Sequence, residues 1–220
     1  MRKKDGSVLC TYLVGCVIGI AFFLGRLVGV VKVKGLRNFP HGKRRVLLVS
    51  NHPYKGEQFL LIALFFPGYL LKFSYGPYTV ADVRNYFDKF PFRLFRSRLI
   101  PVDRTKRSAG VTSLEVSRDV LEHDGNIIMF PEGTRTAKVP LECLLKSLKG
   151  KAMGEFKPGF ARLATVVPDV TVVPVWSEVN SWWNIRFAIG EPVSFTAETP
   201  REEVAERTQN ILLSLADDAG

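Results

Sequence analysis

A chain of 220 residues, 46% of them hydrophobic, has room for one well-cored domain and an appendage but not for two ordinary enzyme domains. Its formal net charge of +10, from 31 basic and 21 acidic side chains, is accompanied by no zinc-ligand spacing, RNP-type strand or basic heptad, which argues against nucleic acid as the partner. The charge is better matched to an anionic lipid surface and phosphate-bearing substrates. Its three cysteines, Cys10, Cys16 and Cys143, form neither a disulfide framework nor a metal site, which suits a domain facing the cytoplasm.

In chain order, the first feature is an apolar stretch from Val8 to Gly25 without a charged residue, close to the length that spans a bilayer. Residues 1–31 are therefore expected to be a membrane anchor, either a spanning helix or a hairpin dipping into one leaflet. A cleaved signal peptide is the rival, given the basic Arg2-Lys3-Lys4 start, but no Ala-x-Ala site follows. Basic residues on both flanks leave the orientation open. Gly15-x3-Gly19 and Gly25-x3-Gly29 read as a weak helix-contact signal.

Residues 32–45, basic and containing Gly35, Pro40 and Gly42, read as a linker, with His41 as a loop histidine. The domain then runs over 46–220. Val46–Ser50 is continuously apolar and predicts a buried strand. Residues 57–66 predict a helix that is apolar nearly all round. Strands are expected at 70–75, 99–102, 126–130, 171–176 and 183–189, and helices at 79–88, 109–123 and 201–215, the last with Glu202 and Glu203 in its first turn. His123 reads as a charge partner at a helix end. Residues 137–156, with Lys138, Lys146, Lys149 and Lys151 around Leu141–Leu148, read as a solvated basic helix, a flap over the donor, or an element lying on lipid. Alternating strands and helices predict an α/β fold with a mostly parallel sheet flanked by helices.

The chemistry-bearing residues stand at the ends of predicted strands, the usual place for a site in an open α/β sheet. Ser50-Asn51-His52-Pro53-Tyr54-Lys55-Gly56-Glu57 follows the first, Asp103-Arg104 the strand at 99–102, and Phe130-Pro131-Glu132-Gly133-Thr134-Arg135 the strand at 126–130. A carboxylate five residues after a histidine can fix the imidazole tautomer and stabilise the imidazolium formed when it takes a proton. With Val173-Pro174-Val175 as a fourth element in order, the chain resembles the lysophosphatidic acid acyltransferase family of glycerolipid acyltransferases. The family's acid after the histidine is normally Asp; here it is Glu57, one methylene longer.

The resemblance implies a glycerolipid acyltransferase-like fold and transfer of a fatty acyl group to the free hydroxyl of a lysophospholipid, giving phosphatidic acid where lysophosphatidic acid is the acceptor. The donor would be acyl-CoA or acyl-carrier protein, as co-substrate and without a cofactor or metal. His52 would be the general base and Glu57 its partner. Asn51, Arg104 and the loop Glu132, Gly133, Thr134 and Arg135 would bind substrate, with guanidinium groups suited to phosphate. Lys157, before Pro158-Gly159, is a further phosphate candidate. No Gly-x-Ser-x-Gly elbow occurs, so direct attack without an acyl-enzyme is preferred. Two rivals stand beside this reading: another acceptor, such as a different lysolipid or a lipid amino acid, and a catalytically silent lipid-binding protein on the same fold.

Overall fold

The computed structural model describes residues 7–54, 56–66, 68–83, 90, 92–103, 109–181 and 183–219. Seven strands form one sheet: β1 (Val31–Lys34), β2 (Val46–Ser50), β3 (Tyr78–Asp82), β4 (Leu99–Val102), β5 (Ile127–Met129), β8 (Thr171–Ser181) and β9 (Asn184–Ile189). Two short strands, β6 (Leu144–Lys146) and β7 (Ala152–Gly154), pair as a separate antiparallel hairpin. The sheet order is β1-β9-β8-β2-β5-β3-β4. β8, β2, β5, β3 and β4 run parallel. β9 turns back antiparallel to β8, and β1 follows β9 in parallel.

Every residue of β2 is buried, as a central strand covered on both faces requires. Its side chains alternate between two cores. Leu47 and Val49 face a layer built from α4 (Ala109–Glu122), α5 (Gly159–Val166) and α6 (Arg201–Asp218). Val46 and Leu48 face the opposite layer, which holds α1 (Ser7–Leu27), α2 (Glu57–Ile62) and the 3-10 turn Ala63–Phe65. A short helix, α3 (Gly68–Leu71), lies on this second layer against α1. Asn126 aligns the starts of the central strands: its side chain accepts from Val46 N at 3.0 Å and donates to Tyr75 O at 2.9 Å.

The N-terminal helix α1 rests on the domain along its length. Thr11, Gly15, Gly19 and Phe22 form its buried stripe, and Thr11 donates to Leu94 O at 2.7 Å. The two glycines permit the close approach. A Cβ at Gly15 would stand 2.3 Å from Tyr69 Cε1, and one at Gly19 would stand 2.4 Å from Phe66 Cδ2. The Gly-x3-Gly spacing thus seats α1 on its own domain. The helix is long and apolar enough to cross a membrane, and its outer face leaves Leu9, Leu13, Val17, Ile20, Phe23, Leu24 and Leu27 exposed.

Several local expectations are corrected. The stretch 70–75 is helical, as α3 and the 3-10 turn Phe73–Tyr75, because Tyr69 and Tyr75 turn inward to pack under α1 and beside Phe65. Residues 79–82 form a strand instead of a helix, with the alternating burial of a sheet position. Residues 31–34, at the junction of the expected anchor and linker, are a sheet strand whose Val31 is buried while Lys32 and Lys34 point to solvent. Residues 144–154 are a β-hairpin where the solvated reading expected a helix.

Candidate active site

The site is built at the carboxyl ends of β2 and β5. His52 leaves the sheet two residues after β2 and is mostly buried, its side chain 14% exposed. Its ring stacks on Phe130 just past β5, with centroids 4.4 Å apart and planes at 21°. Nδ1–H of His52 donates to Glu57 Oε1, and Glu57 Oε2 accepts from Tyr54 N at 2.7 Å. Glu57 opens α2, its side chain reaches back to His52 and Tyr54, and its carboxylate is fully buried. That burial raises the Glu57 pKa above its ordinary 4.5, against the opposing pull of His52 and the Tyr54 N–H. With Nδ1 held by a carboxylate, Nε2 is the nitrogen left to take a proton.

Two further side chains fix the loop that carries His52. Asn51 is buried and bolted to β8: its Nδ2 donates to Ser177 O at 3.0 Å, while its Oδ1 accepts from Ser177 N at 2.8 Å. Glu132 reaches across from the β5 side. Its Oε1 accepts from His52 N at 2.8 Å, its Oε2 from Gly154 N at 2.6 Å, and both oxygens are within reach of the Thr136 hydroxyl. Thr136 N returns a bond to His52 O at 2.9 Å. Burial raises the Glu132 pKa as well, with the bonds from Gly154, His52 and Thr136 opposing it.

Beyond Glu132 the chain turns through Gly133, whose φ of 68° is left-handed. A Cβ there would meet Lys157 Cε at 3.1 Å, so the Lys157 stem lies over this turn. Lys157 N also donates to Pro131 O at 2.9 Å. Thr134 and Arg135 follow, both half-buried. The Arg135 guanidinium has no ion-pair partner among the described residues, so it can accept an anionic ligand. Arg104 lies outside the described residues. Glu132 and Asn51, expected to touch substrate, have their polar atoms engaged within the protein and hold the loops in place.

The structure also brings in residues that no motif marked. Thr136, Gly154 and Ser177 all reach the site through bonds made across the fold. Phe130 belongs to a quoted motif, yet its stacking on His52 becomes visible only when β2 and β5 pair. A histidine held by a buried carboxylate at the open end of a parallel sheet, beside a guanidinium and an exposed lysine, can deprotonate an alcohol while cations hold a phosphate.

Residues 30–178 match the family model described as Acyltransferase, more than half of the chain. The chain belongs to this acyltransferase family. Among solved structures, the acyltransferase is similar to the 1-acyl-sn-glycerophosphate (LPA) acyltransferase PlsC from Thermotoga maritima, with a TM-score of 0.63 and 21% identity, over 99% of this chain and 84% of that one. None of the curated proteins matches this acyltransferase significantly. The matched region contains β1 and the whole His52–Glu132 site.

Proposed function

We propose that this acyltransferase moves a fatty acyl group from acyl-CoA or acyl-carrier protein to the free hydroxyl of lysophosphatidic acid, giving phosphatidic acid. The observation that carries the reading is the His52–Glu57 pair, a tautomer-fixed imidazole whose carboxylate is wholly buried. His52 Nε2 takes the hydroxyl proton as the alcohol oxygen attacks the thioester carbonyl. The tetrahedral intermediate collapses with cleavage of the C–S bond, and the proton on His52 passes to the departing thiolate. Glu57 stabilises the imidazolium through that interval. Arg135, Arg104 and Lys157 hold the acceptor's phosphate, and Gly133 allows the backbone to approach it. Glu132 and Asn51 act by positioning. Acyl transfer to 1-acyl-sn-glycerophosphate, the reaction printed for the similar Thermotoga enzyme, supports this choice of acceptor.

The apolar outer face of α1 is the lipid-contacting surface in this reading, with the net positive charge favouring an anionic membrane and the catalytic domain on the cytoplasmic side. Contacts along the whole of α1 favour a helix lying with the domain at the membrane surface over one projecting away from it. The test is an assay of the full chain with radiolabelled acyl-CoA and a panel of lysolipids in mixed vesicles. Turnover restricted to lysophosphatidic acid supports the reading. Equal rates with uncharged acceptors would move the acceptor assignment elsewhere, and no transfer to any acceptor would favour a silent lipid-binding protein.

A further inference from the structure

The β6–β7 hairpin is held more firmly than its exposure would suggest. Leu145 and Met153 pack into the core of the α4–α6 layer. The turn between the strands is clamped by Asp217 near the end of α6, whose carboxylate accepts from Leu148 N at 3.0 Å and Lys149 N at 2.8 Å. Lys151 pairs with the buried Glu178 at 2.9 Å. At its base the hairpin enters the site directly, because Gly154 N donates to the same Glu132 that holds His52 N.

This fixed frame presents leucines to water. Leu148 is 101% exposed and Leu141 81% exposed, interleaved with exposed Lys138, Lys146 and Lys149. From Lys138 to Lys151 the one acid is Glu142. Neither Lys138 nor Lys146 has an ion-pair partner among the described residues. Lys149 Nζ donates to Asp217 O at 2.6 Å, so the apolar side chains held outward beside Lys138 and Lys146 mark the surface awaiting a partner.

The topology decides what kind of partner. Alternate residues of β2 place α1 and the hairpin on opposite layers of the sheet. When the outer face of α1 meets lipid, the hairpin faces water. A second copy of a chain carrying +10 would be repelled by a basic face, and the headgroup of a soluble nucleotide thioester offers nothing apolar to cover two leucines. An acidic protein with an amphipathic surface meets both requirements.

We propose that Leu141, Leu148, Lys138 and Lys146 form the docking face for an acidic acyl carrier protein, which delivers the thioester to His52 from the aqueous side while the acceptor arrives from the α1 side. The inference rests on the acyl-transfer reading of the His52 site. From Leu148 to Gly154 is at most about 20 Å of extended chain, a span suited to a flexible thioester-bearing arm.

The experiment compares the full chain with a Lys138→Glu/Lys146→Glu double variant and with Leu148→Asp, using palmitoyl-carrier protein and palmitoyl-CoA against the same acceptor. The expected result is a rise in KM for the carrier-borne donor on the order of tenfold or more, with kcat for that donor and both constants for palmitoyl-CoA little changed. Retained palmitoyl-CoA turnover also shows that the variants fold; were Leu148→Asp to misfold, the lysine variant decides. Equal effects on both donors, or none on either, would overturn the proposal. So would loss of binding to anionic vesicles, which would make the hairpin a lipid contact. Fluorescence anisotropy with acyl-free carrier tests docking independently of turnover: wild-type binding weakened by the variants supports it, and no wild-type binding overturns it. A wild type that binds carrier but turns over neither donor would instead sink the acyl-transfer reading.

Discussion

Glu132 Oε1 and the backbone N–H of His52 stand 2.8 Å apart although 80 positions separate the residues in sequence. One buried carboxylate therefore ties the loop after β2, the loop after β5 and the base of the β6–β7 hairpin together. Glu132→Gln would replace one acceptor oxygen with an NH2 group facing either His52 N–H or Gly154 N–H. The expected cost is about 1–3 kcal/mol for the unsatisfied buried donors, together with a fall in kcat as His52 loses its fixed position. Thermal melts and turnover on the same preparation check this. An unchanged melting temperature would contradict the bracing role.

His52→Ala removes the proposed base and the ring stacked on Phe130, but it leaves the backbone bonds to Glu132 and Thr136 in place. The fold should survive, and turnover should fall by about two to four orders of magnitude. Activity above roughly a tenth of wild type in a folded variant would remove His52 from the proton transfer.

Glu57 links catalysis to stability through pH. Burial holds its pKa above 4.5, so ionising it costs the folded state. Its stabilising contribution is complete below the unfolded value and is lost as pH rises through the raised folded value. Glu57→Gln does not titrate. The melting temperature of wild type relative to this variant should therefore fall as pH rises above the ordinary carboxylate value of 4.5. Turnover of the variant at neutral pH should drop at least about a hundredfold, since an amide copies the shape but not the charge facing the imidazolium. Glu57→Asp tests the extra methylene: the shorter side chain must release either His52 Nδ1 or Tyr54 N, so partial activity is expected. A Gln variant as active as wild type would exclude Glu57 from the mechanism.

Arg135→Lys keeps a positive charge and loses the planar fork. If Arg135 holds the acceptor phosphate, the acceptor KM should rise more than the donor KM. An unchanged acceptor constant would favour an acceptor bound through other groups.

What the sequence made legible was local. The unbroken apolar run Val46–Ser50 predicts a strand with its observed bounds, and the residues that follow it and Ile127–Met129 meet at one end of the sheet as the strand-end argument requires. What it concealed depended on partners distant along the chain. Val31 reads as the end of the anchor and Lys32-Val33-Lys34 as basic linker because the lysines mask a strand that exists only by pairing with β9. Leu70–Tyr75, with Lys72 and Ser74 among its apolar residues, is too short for its period to decide, and packing under α1 makes it helical. Gly154 and Ser177 carry no local mark of the site, since each contributes backbone atoms to a side chain elsewhere.

The seat of α1 yields the last prediction. The Cβ of Gly19→Ala would stand 2.4 Å from the Phe66 ring. The Cβ of Gly15→Ala would press on Tyr69, whose buried hydroxyl donates to Thr11 O at 2.9 Å and cannot simply swing aside. Each substitution should destabilise the chain by about 1–3 kcal/mol through overpacking, and the pair together should lift α1 from Phe66 and Tyr69. Lipid contact should persist, because Leu13, Val17, Ile20 and Leu24 on the outer face are untouched. The expected pattern for Gly15→Ala/Gly19→Ala is a lower melting temperature and faster proteolysis near residues 28–30, with vesicle binding retained. Deleting residues 1–30 should remove both functions of α1, uncovering Phe66 and Tyr69 and leaving a domain that aggregates without detergent. A truncated domain that stays monomeric and melts like the full chain would show that α1 contributes nothing to the fold.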